Sequence, residues 1–355
     1  MAEKLVEVCD RAVVERDFTS IAEVAPQSGA PALHNPETEG DTLRPKMRVR
    51  TAIVGANGFV GRHLMALLAR EGRAMLGVVR SAEGARLVRE LGGVPFQVRD
   101  LERPSTDELG PALADCAGLV YTASASAGPG SADRTDPTGL VNVIQACRDQ
   151  GVPRILFLSG LGVAHYGMNS HCTNAYFLSK MAGEVALFRS DRAVTVFRPS
   201  YIVGEGDEFL SPLVRRMADA AGLEIPGDGA YRLQPISVQD AARAILAALD
   251  EEPASSARVV DLVGPEILSY RALIGRVASL MGRRVDIRER PMDEALAQAR
   301  ESDYFGLRPL DLACLLCDEV SDPRPVEALI GGGLETVDAM VGRTIAAFRA
   351  AERVG

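Results

Sequence analysis

Short apolar runs alternate with stretches of helical period over most of this chain. The run RTAIVGA at 50–56 has the length and β-branched content of a buried strand, and FVGRHLMALLAREG after it repeats apolar residues at helical spacing. The pattern continues with a strand AMLGVVR, a helix SAEGARLVRELG, a strand VPFQVRD at 94–100 and a strand GLVYTAS at 118–124. A helix near 137–150, the strand RILFLSG at 154–160, a helix over 174–190 and the strand VTVFRPSYIVG follow. Strands separated by helices require crossover connections, hence a parallel sheet covered on both faces. The expectation is an α/β, doubly wound Rossmann-type fold, mostly parallel.

Beyond residue 205 the alternation loosens. Helices are expected near 208–221, 238–250, 269–281, 292–300, 308–317, 324–330 and 334–350, with strands at ARVVDLVG and RVDIRER and a Gly/Pro-rich loop IPGDGAYRLQPIS between the first two helices. The C-terminal part, 206–350, therefore reads as a smaller, mainly helical substrate region, with parts of 235–265 returning to the core of the dinucleotide-binding region at 50–205. Residues 3–17 fit an amphipathic helix, and 24–46, rich in proline, glycine and polar residues, fit a linker or wrapping arm. No internal repeat is present.

Composition narrows the function classes. The chain has 355 residues, 47% of them hydrophobic, and a formal charge of -9. That balance supports a folded protein and offers no basic surface for nucleic acid. No apolar stretch is long enough to form an integral membrane segment, and the N-terminus lacks the apolar core of a signal peptide, so the expected location is cytoplasmic. Six scattered cysteines do not form a disulfide framework, and Cys314 and Cys317 read as the apolar face of a helix. The four histidines are dispersed and no metal site is expected.

Candidate chemistry begins at GANGFVG, where Gly55, Gly58 and Gly61 join a strand to a helix. Glycines there permit a tight turn and close approach to a pyrophosphate, while first-turn N–H groups face its oxygens. Asn57, Phe59 and Val60 belong to the same loop. The next strand ends at Arg80 and Ser81 without the carboxylate that would take an unmodified ribose. Guanidinium and hydroxyl suit a 2′-phosphate, so NADP(H) is favoured and NAD(H) stays open. Asp100 and Leu101 follow the third strand, near the adenine, where Asp100 suits either a hydrogen bond to that base or a helix cap. Ala123 and Ser124 follow the fourth, Pro199 and Ser200 the sixth, at the nicotinamide side.

Tyr176 and Lys180 stand four residues apart on one helix face. An ammonium beside a phenol favours phenolate, so Tyr176 is read as the acid/base, and Lys180 as its electrostatic partner and a ribose ligand. Ser159 closes the strand RILFLS, at the edge where ligands sit in such sheets, and is read as a donor to a substrate carbonyl. Arg198, in the same turn as Pro199 and Ser200, is read equally as backbone facing the nicotinamide amide or as a structural ion-pair partner, and is not counted as catalytic. Substrate contacts are sought at Ser126, His165, Tyr166, Met168, Asn174, Tyr201, Arg232 and Gln234. The partner is a small molecule; a homo-oligomer or protein partner is not specified by any motif.

These motifs resemble the short-chain dehydrogenase/reductase superfamily in its extended or atypical branch. GANGFVG is similar to that branch's glycine loop and Tyr176-Phe-Leu-Ser-Lys180 to its YxxxK motif, while LSGLGVAHYG departs from the usual serine-rich strand end. VRD at 98–100, FRPSYIVGEGDEF, IPGDGAYRLQPISVQDAARAI, DLVGPEILSYRALI and LDLACLLCDEV resemble the group that includes bacterial relatives of an accessory subunit of respiratory complex I. The resemblance implies an NADP(H)-binding oxidoreductase acting on a carbonyl or secondary alcohol. Related branches imply a redox-cycling epimerase or dehydratase, on a sugar nucleotide for instance, and some members serve as noncatalytic assembly subunits. Residues 1–49 lie outside the resemblance.

Overall fold

A computed structural model describes residues 50–101, 106–123, 137–168, 173–219, 222–253, 256–301 and 309–353. The described residues all belong to a compact unit, Arg48–Gly355. The expectations for residues 1–49, Ser124 and Ser126 fall outside them.

The N-terminal part follows the alternating pattern closely. β1 (Arg50–Val54), α1 (Phe59–Arg70), β2 (Met75–Val79), α2 (Ala82–Glu90), β3 (Val94–Gln97), α3 (Thr106–Leu113) and β4 (Cys116–Tyr121) come first. They are followed by α4 (Pro137–Asp149), β5 (Arg154–Leu158), a 3-10 turn (Leu161–His165), α5 (Ala175–Phe188) and β6 (Ala193–Pro199). With β11 (Arg258–Leu262) the strands form one seven-stranded parallel sheet in the order β11-β6-β5-β4-β1-β2-β3. The order reverses between β1 and β4, and in such sheets the crevice at that switch point holds the ligand.

Alternation within β1 shows why the sheet needs cover on both faces. Ile53 packs into a core with α1 residues Leu64, Met65 and Leu68. Its neighbours Ala52 and Val54 point the other way, into a core with Leu140, Val143 and Cys147 of α4. All of these side chains are buried, which accounts for the uninterrupted apolar runs of the central strands. α7 (Val238–Asp250) packs beside α1 in the first of these cores.

The run VTVFRPSYIVG is two strands rather than one. β6 stops at Pro199, Ser200 turns to bond Leu262, and β7 (Ile202–Val203) pairs with β10 (Ile236–Ser237) in a separate ladder. A second difference is β8 (Gly222–Pro226), paired in parallel with β13 (Asp286–Arg290) and too short to display a clear alternation in sequence. β9 (Arg232–Leu233) and β12 (Leu268–Ser269) make a further small ladder. These pieces, with α6 (Leu210–Asp219), α8 (Tyr270–Met281), α9 (Met292–Glu301), α10 (Pro309–Leu315), α11 (Arg324–Ile330) and α12 (Val337–Glu352), complete the C-terminal region. A third core there joins Val214, Leu223, Tyr270, Leu312 and Val341. Among the described residues no helix is long and apolar enough to cross a membrane.

Candidate active site

The glycine loop is fixed by its backbone. Gly55 has φ +84°, a conformation that favours glycine, and a Cβ there would come within 2.8 Å of Ala123 N. Gly58 N–H closes the turn on Gly55 O at 2.9 Å. At Gly61 a Cβ would meet Gly55 O at 2.2 Å, so the first turn of α1 sits directly against the loop. Gly58 caps α1 without any side-chain acceptor, and the first turn carries no acidic residue. The helix end is therefore open to an anion, and the residues fit the pyrophosphate of a dinucleotide.

Around that end the other loop residues divide their roles. Asn57 is exposed and its amide lies where a Cβ on Gly84 would be 3.1 Å away, so it spans from the loop to α2. The Phe59 ring is half-buried, edge-on to His63, whereas the Val60 side chain is in the core and has only its backbone to offer a ligand. Ser81 caps α2 by accepting from Gly84 N at 3.1 Å. Arg80 is exposed, and its guanidinium has no partner among the described residues. Asp100 is exposed just past β3, while Leu101 is half-buried and its carbonyl accepts from Asn142.

Tyr176 and Lys180 lie on α5, with Lys180 almost fully buried. Its Nζ donates to Leu158 O at 2.9 Å and stands 5.5 Å from the centre of the Tyr176 ring and 5.1 Å from that of Phe157. Burial lowers the Lys180 pKa to about 8, against the pull of the Glu184 carboxylate that keeps it charged. An amine brought close to neutral pH beside a phenol suits proton exchange.

Behind this pair is a network that the sequence reading missed. Glu184, one helical turn after Lys180, accepts from Arg198 Nε at 2.9 Å and Nη2 at 2.6 Å and from Ser159 Oγ at 2.6 Å. It ties α5 to the ends of β5 and β6 in a bidentate, charge-assisted arrangement. The four-residue spacing from Lys180 was the available signal.

Several of the expected site residues have partners elsewhere in the fold. Ser159, expected as the donor to a substrate carbonyl, is 1% exposed and donates its hydroxyl hydrogen to Glu184 Oε1 at 2.6 Å. Asn174 caps α5 by accepting from Phe177 N and points its amide at Cys314 Sγ. Arg232 is held by Asp318 through Nε at 3.1 Å and Nη2 at 3.0 Å. Gln234 is buried, donating to Gly264 O and accepting from Ser321 N, both at 2.8 Å. The Ser200 hydroxyl donates to Glu319 O, leaving neighbouring Pro199, itself buried at the end of β6, to present backbone only. The Tyr201 ring stacks on Phe209 at 4.3 Å in the C-terminal core.

Of the remaining substrate candidates, His165 and Tyr166 are half-buried and Met168 is exposed at the end of the 3-10 turn. Tyr166 packs in one cluster with Tyr176, Phe177, Cys314 and Cys317. The two cysteines are free thiols in that cluster. No group of histidine, cysteine and carboxylate side chains suited to a metal ion occurs among the described residues.

Comparison with known proteins bears on this geometry. Residues 51–262 match the model of Epimerase, the NAD dependent epimerase/dehydratase family. The chain belongs to that family. It is thereby an extended member of the short-chain dehydrogenase/reductase superfamily, a family that binds a nicotinamide dinucleotide.

Among relatives of this family member, subunit 9 of the NADH dehydrogenase [ubiquinone] 1 alpha subcomplex, mitochondrial, of Arabidopsis thaliana is 26% identical over 62% of this chain and 55% of its own. The chain thus spans only about half of that protein. The 2-alkyl-3-oxoalkanoate reductase of Stenotrophomonas maltophilia is 27% identical over 67% of this chain and 78% of its own. Among solved structures, a UDP-glucose 4-epimerase from Thermotoga maritima superimposes with a TM-score of 0.67 over 85% of this chain and 99% of its own, at 17% identity. That likeness is one of fold.

Proposed function

We propose that this protein is an NADP(H)-dependent reductase or dehydrogenase that interconverts a carbonyl and a secondary alcohol in a small metabolite. The observation that carries the reading is the buried Lys180 ammonium beside the Tyr176 ring, backed by Glu184. The dinucleotide, when bound, supplies or accepts hydride at its nicotinamide. Gly55, Gly58 and Gly61 hold its pyrophosphate by backbone, and Lys180 stands at the ribose side. Tyr176 gives a proton to the carbonyl oxygen during reduction and takes it back during oxidation. Lys180 stabilises the phenolate left behind. With the Ser159 hydroxyl committed to Glu184, the polarising hydrogen bond to the carbonyl falls to Tyr176 itself.

The choice of NADP(H) rests on Arg80, exposed at the end of β2 beside the Ser81 cap and free of any described partner. Titration with NADPH and NADH, read by fluorescence, tests it. NADPH binds the tighter, and Arg80→Ala weakens NADPH by about tenfold or more while leaving NADH unchanged. Equal binding of both by the native protein overturns the assignment.

The family match favours one other reading, a redox-cycling epimerase or dehydratase that consumes no net cofactor. Arg232, the cation that the sequence offered to an anionic sugar nucleotide, is engaged by Asp318, which weighs toward net reduction. Stoichiometric NADPH oxidation with a ketone distinguishes the two.

A further inference from the structure

The segment that follows α10 runs along the edge of this site. Cys314 and Cys317 pack against Tyr166, Tyr176, Val163 and Phe177. Two residues further on, Glu319 is gripped by its main chain: its N–H donates to Arg232 O at 3.2 Å and its carbonyl accepts from Ser200 Oγ at 2.9 Å. The segment thus links the Tyr176 ring to Ser200, the residue just past the end of β6, at the carboxyl edge of the sheet where ligands sit in this architecture.

The Glu319 side chain stands apart from every other buried acid in the neighbourhood. The residue is 5% exposed, and its carboxyl has neither hydrogen bond nor ion pair among the described residues. The nearby cations are already taken, Arg232 by Asp318 and Arg198 by Glu184, and the Asp261 carboxylate receives Ser321 Oγ. Burial alone raises the Glu319 pKa to about 8, so the group is a neutral acid at physiological pH, with one O–H donor and spare acceptor capacity. Enclosed polar groups without partners destabilise a fold, and they recur where a ligand completes their bonding.

We propose that Glu319 is a substrate-binding residue whose carboxyl pairs with an uncharged hydroxyl or carbonyl group of the substrate and rejects an anionic group at that position. This deepens the reductase reading, on which it rests, by naming a substrate class. The compound reduced at Tyr176 carries a second, neutral oxygen function, as an ester, amide or hydroxyketone does, in place of a free carboxylate or phosphate.

Two variants and two probes test it. Glu319→Gln keeps a neutral donor and acceptor, and Glu319→Met keeps the volume and removes both. The probes are ethyl acetoacetate and acetoacetate, which differ in the charge beside the ketone, with NADPH oxidation as readout. The native enzyme turns over the ester and discriminates against the anion. Glu319→Gln keeps KM for the ester within about threefold, whereas Glu319→Met raises it about tenfold with kcat for the ester and NADPH binding unchanged. Thermal melts of the ligand-free proteins give Glu319→Met a Tm at or above the native value, because an unpaired buried acid has been removed.

A native preference for acetoacetate overturns the proposal, as does an unchanged KM in Glu319→Met. A lower Tm in Glu319→Met also overturns it, by showing that the carboxyl serves the fold. If the native enzyme oxidises NADPH with neither probe nor any ketone, the reductase reading fails by itself. The melts then decide whether Glu319 is held against stability.

Discussion

Replacing Glu184 by glutamine removes one charge from the centre of the network behind the active site and leaves its shape intact. In the native protein the Glu184 carboxylate is 3% exposed and takes two hydrogen bonds from Arg198, whose side chain is 20% exposed, and one from Ser159. Glutamine leaves the guanidinium without its counter-charge and offers one acceptor oxygen where the carboxylate had two. Breaking a buried pair from one side costs about 3–5 kcal/mol, because the surviving charge stays desolvated. Residual exposure of Arg198 and the nearby Asp261 carboxylate place this case at the lower end, about 3 kcal/mol. For a unit of about 300 residues, whose unfolding entropy is about 2.1 cal/mol/K per residue, that is a fall in Tm of about 5 °C. Urea denaturation at neutral pH measures it directly.

Activity reports the same substitution separately. Glu184 is the anionic neighbour that keeps the Lys180 ammonium charged. Without it the lysine loses its proton at lower pH, so the alkaline limb of the kcat/KM profile moves down. Replacing Glu184 and Arg198 together by leucine recovers much of the stability, since neither charge is then stranded. A loss below about 1 kcal/mol in Glu184→Gln, with an unmoved pH profile, refutes the reasoning.

Two other predictions follow from side chains whose roles the structure defines. Lys180 is charged in the unfolded chain up to its ordinary pKa of 10.5 but only to about 8 in the folded protein, so the unfolded state holds more protons between those values. Native stability therefore rises with pH across that window by about 3 kcal/mol relative to Lys180→Met, measured by denaturation at both ends; a parallel dependence in the two proteins contradicts it. Arg232→Ala removes an exposed ion pair with Asp318, so it lowers stability by less than about 1 kcal/mol and leaves kcat/KM for ethyl acetoacetate unchanged. A tenfold loss of activity there would restore Arg232 to the substrate site.

The parallel sheet was legible because its strands are buried on both faces, and uninterrupted apolar runs such as AIV in β1 and ILF in β5 leave little alternative. The glycine loop was legible for a related reason, since only glycine meets the backbone of Ala123 and the carbonyl of Gly55 at those distances. Residues whose role depends on a distant partner were not. Ser159, Arg232 and Gln234 are polar residues at the expected edge of the sheet, yet their partners come from positions 184, 318, 264 and 321. Glu319 gave no sequence signal at all, because nothing in DEV distinguishes an exposed acid from a buried one. The break between β6 and β7 was hidden as well, because Ser200 turns the chain by a bond to Leu262.

The central claim is that Tyr176 transfers the proton while Lys180 and the glycine loop hold the cofactor. The most direct test is Tyr176→Phe, which deletes one hydroxyl, compared with the native protein in NADPH binding and in ketone-dependent NADPH oxidation. The account predicts NADPH affinity within about threefold of native and turnover lower by about 100-fold or more. Turnover at the native rate with binding intact would contradict it.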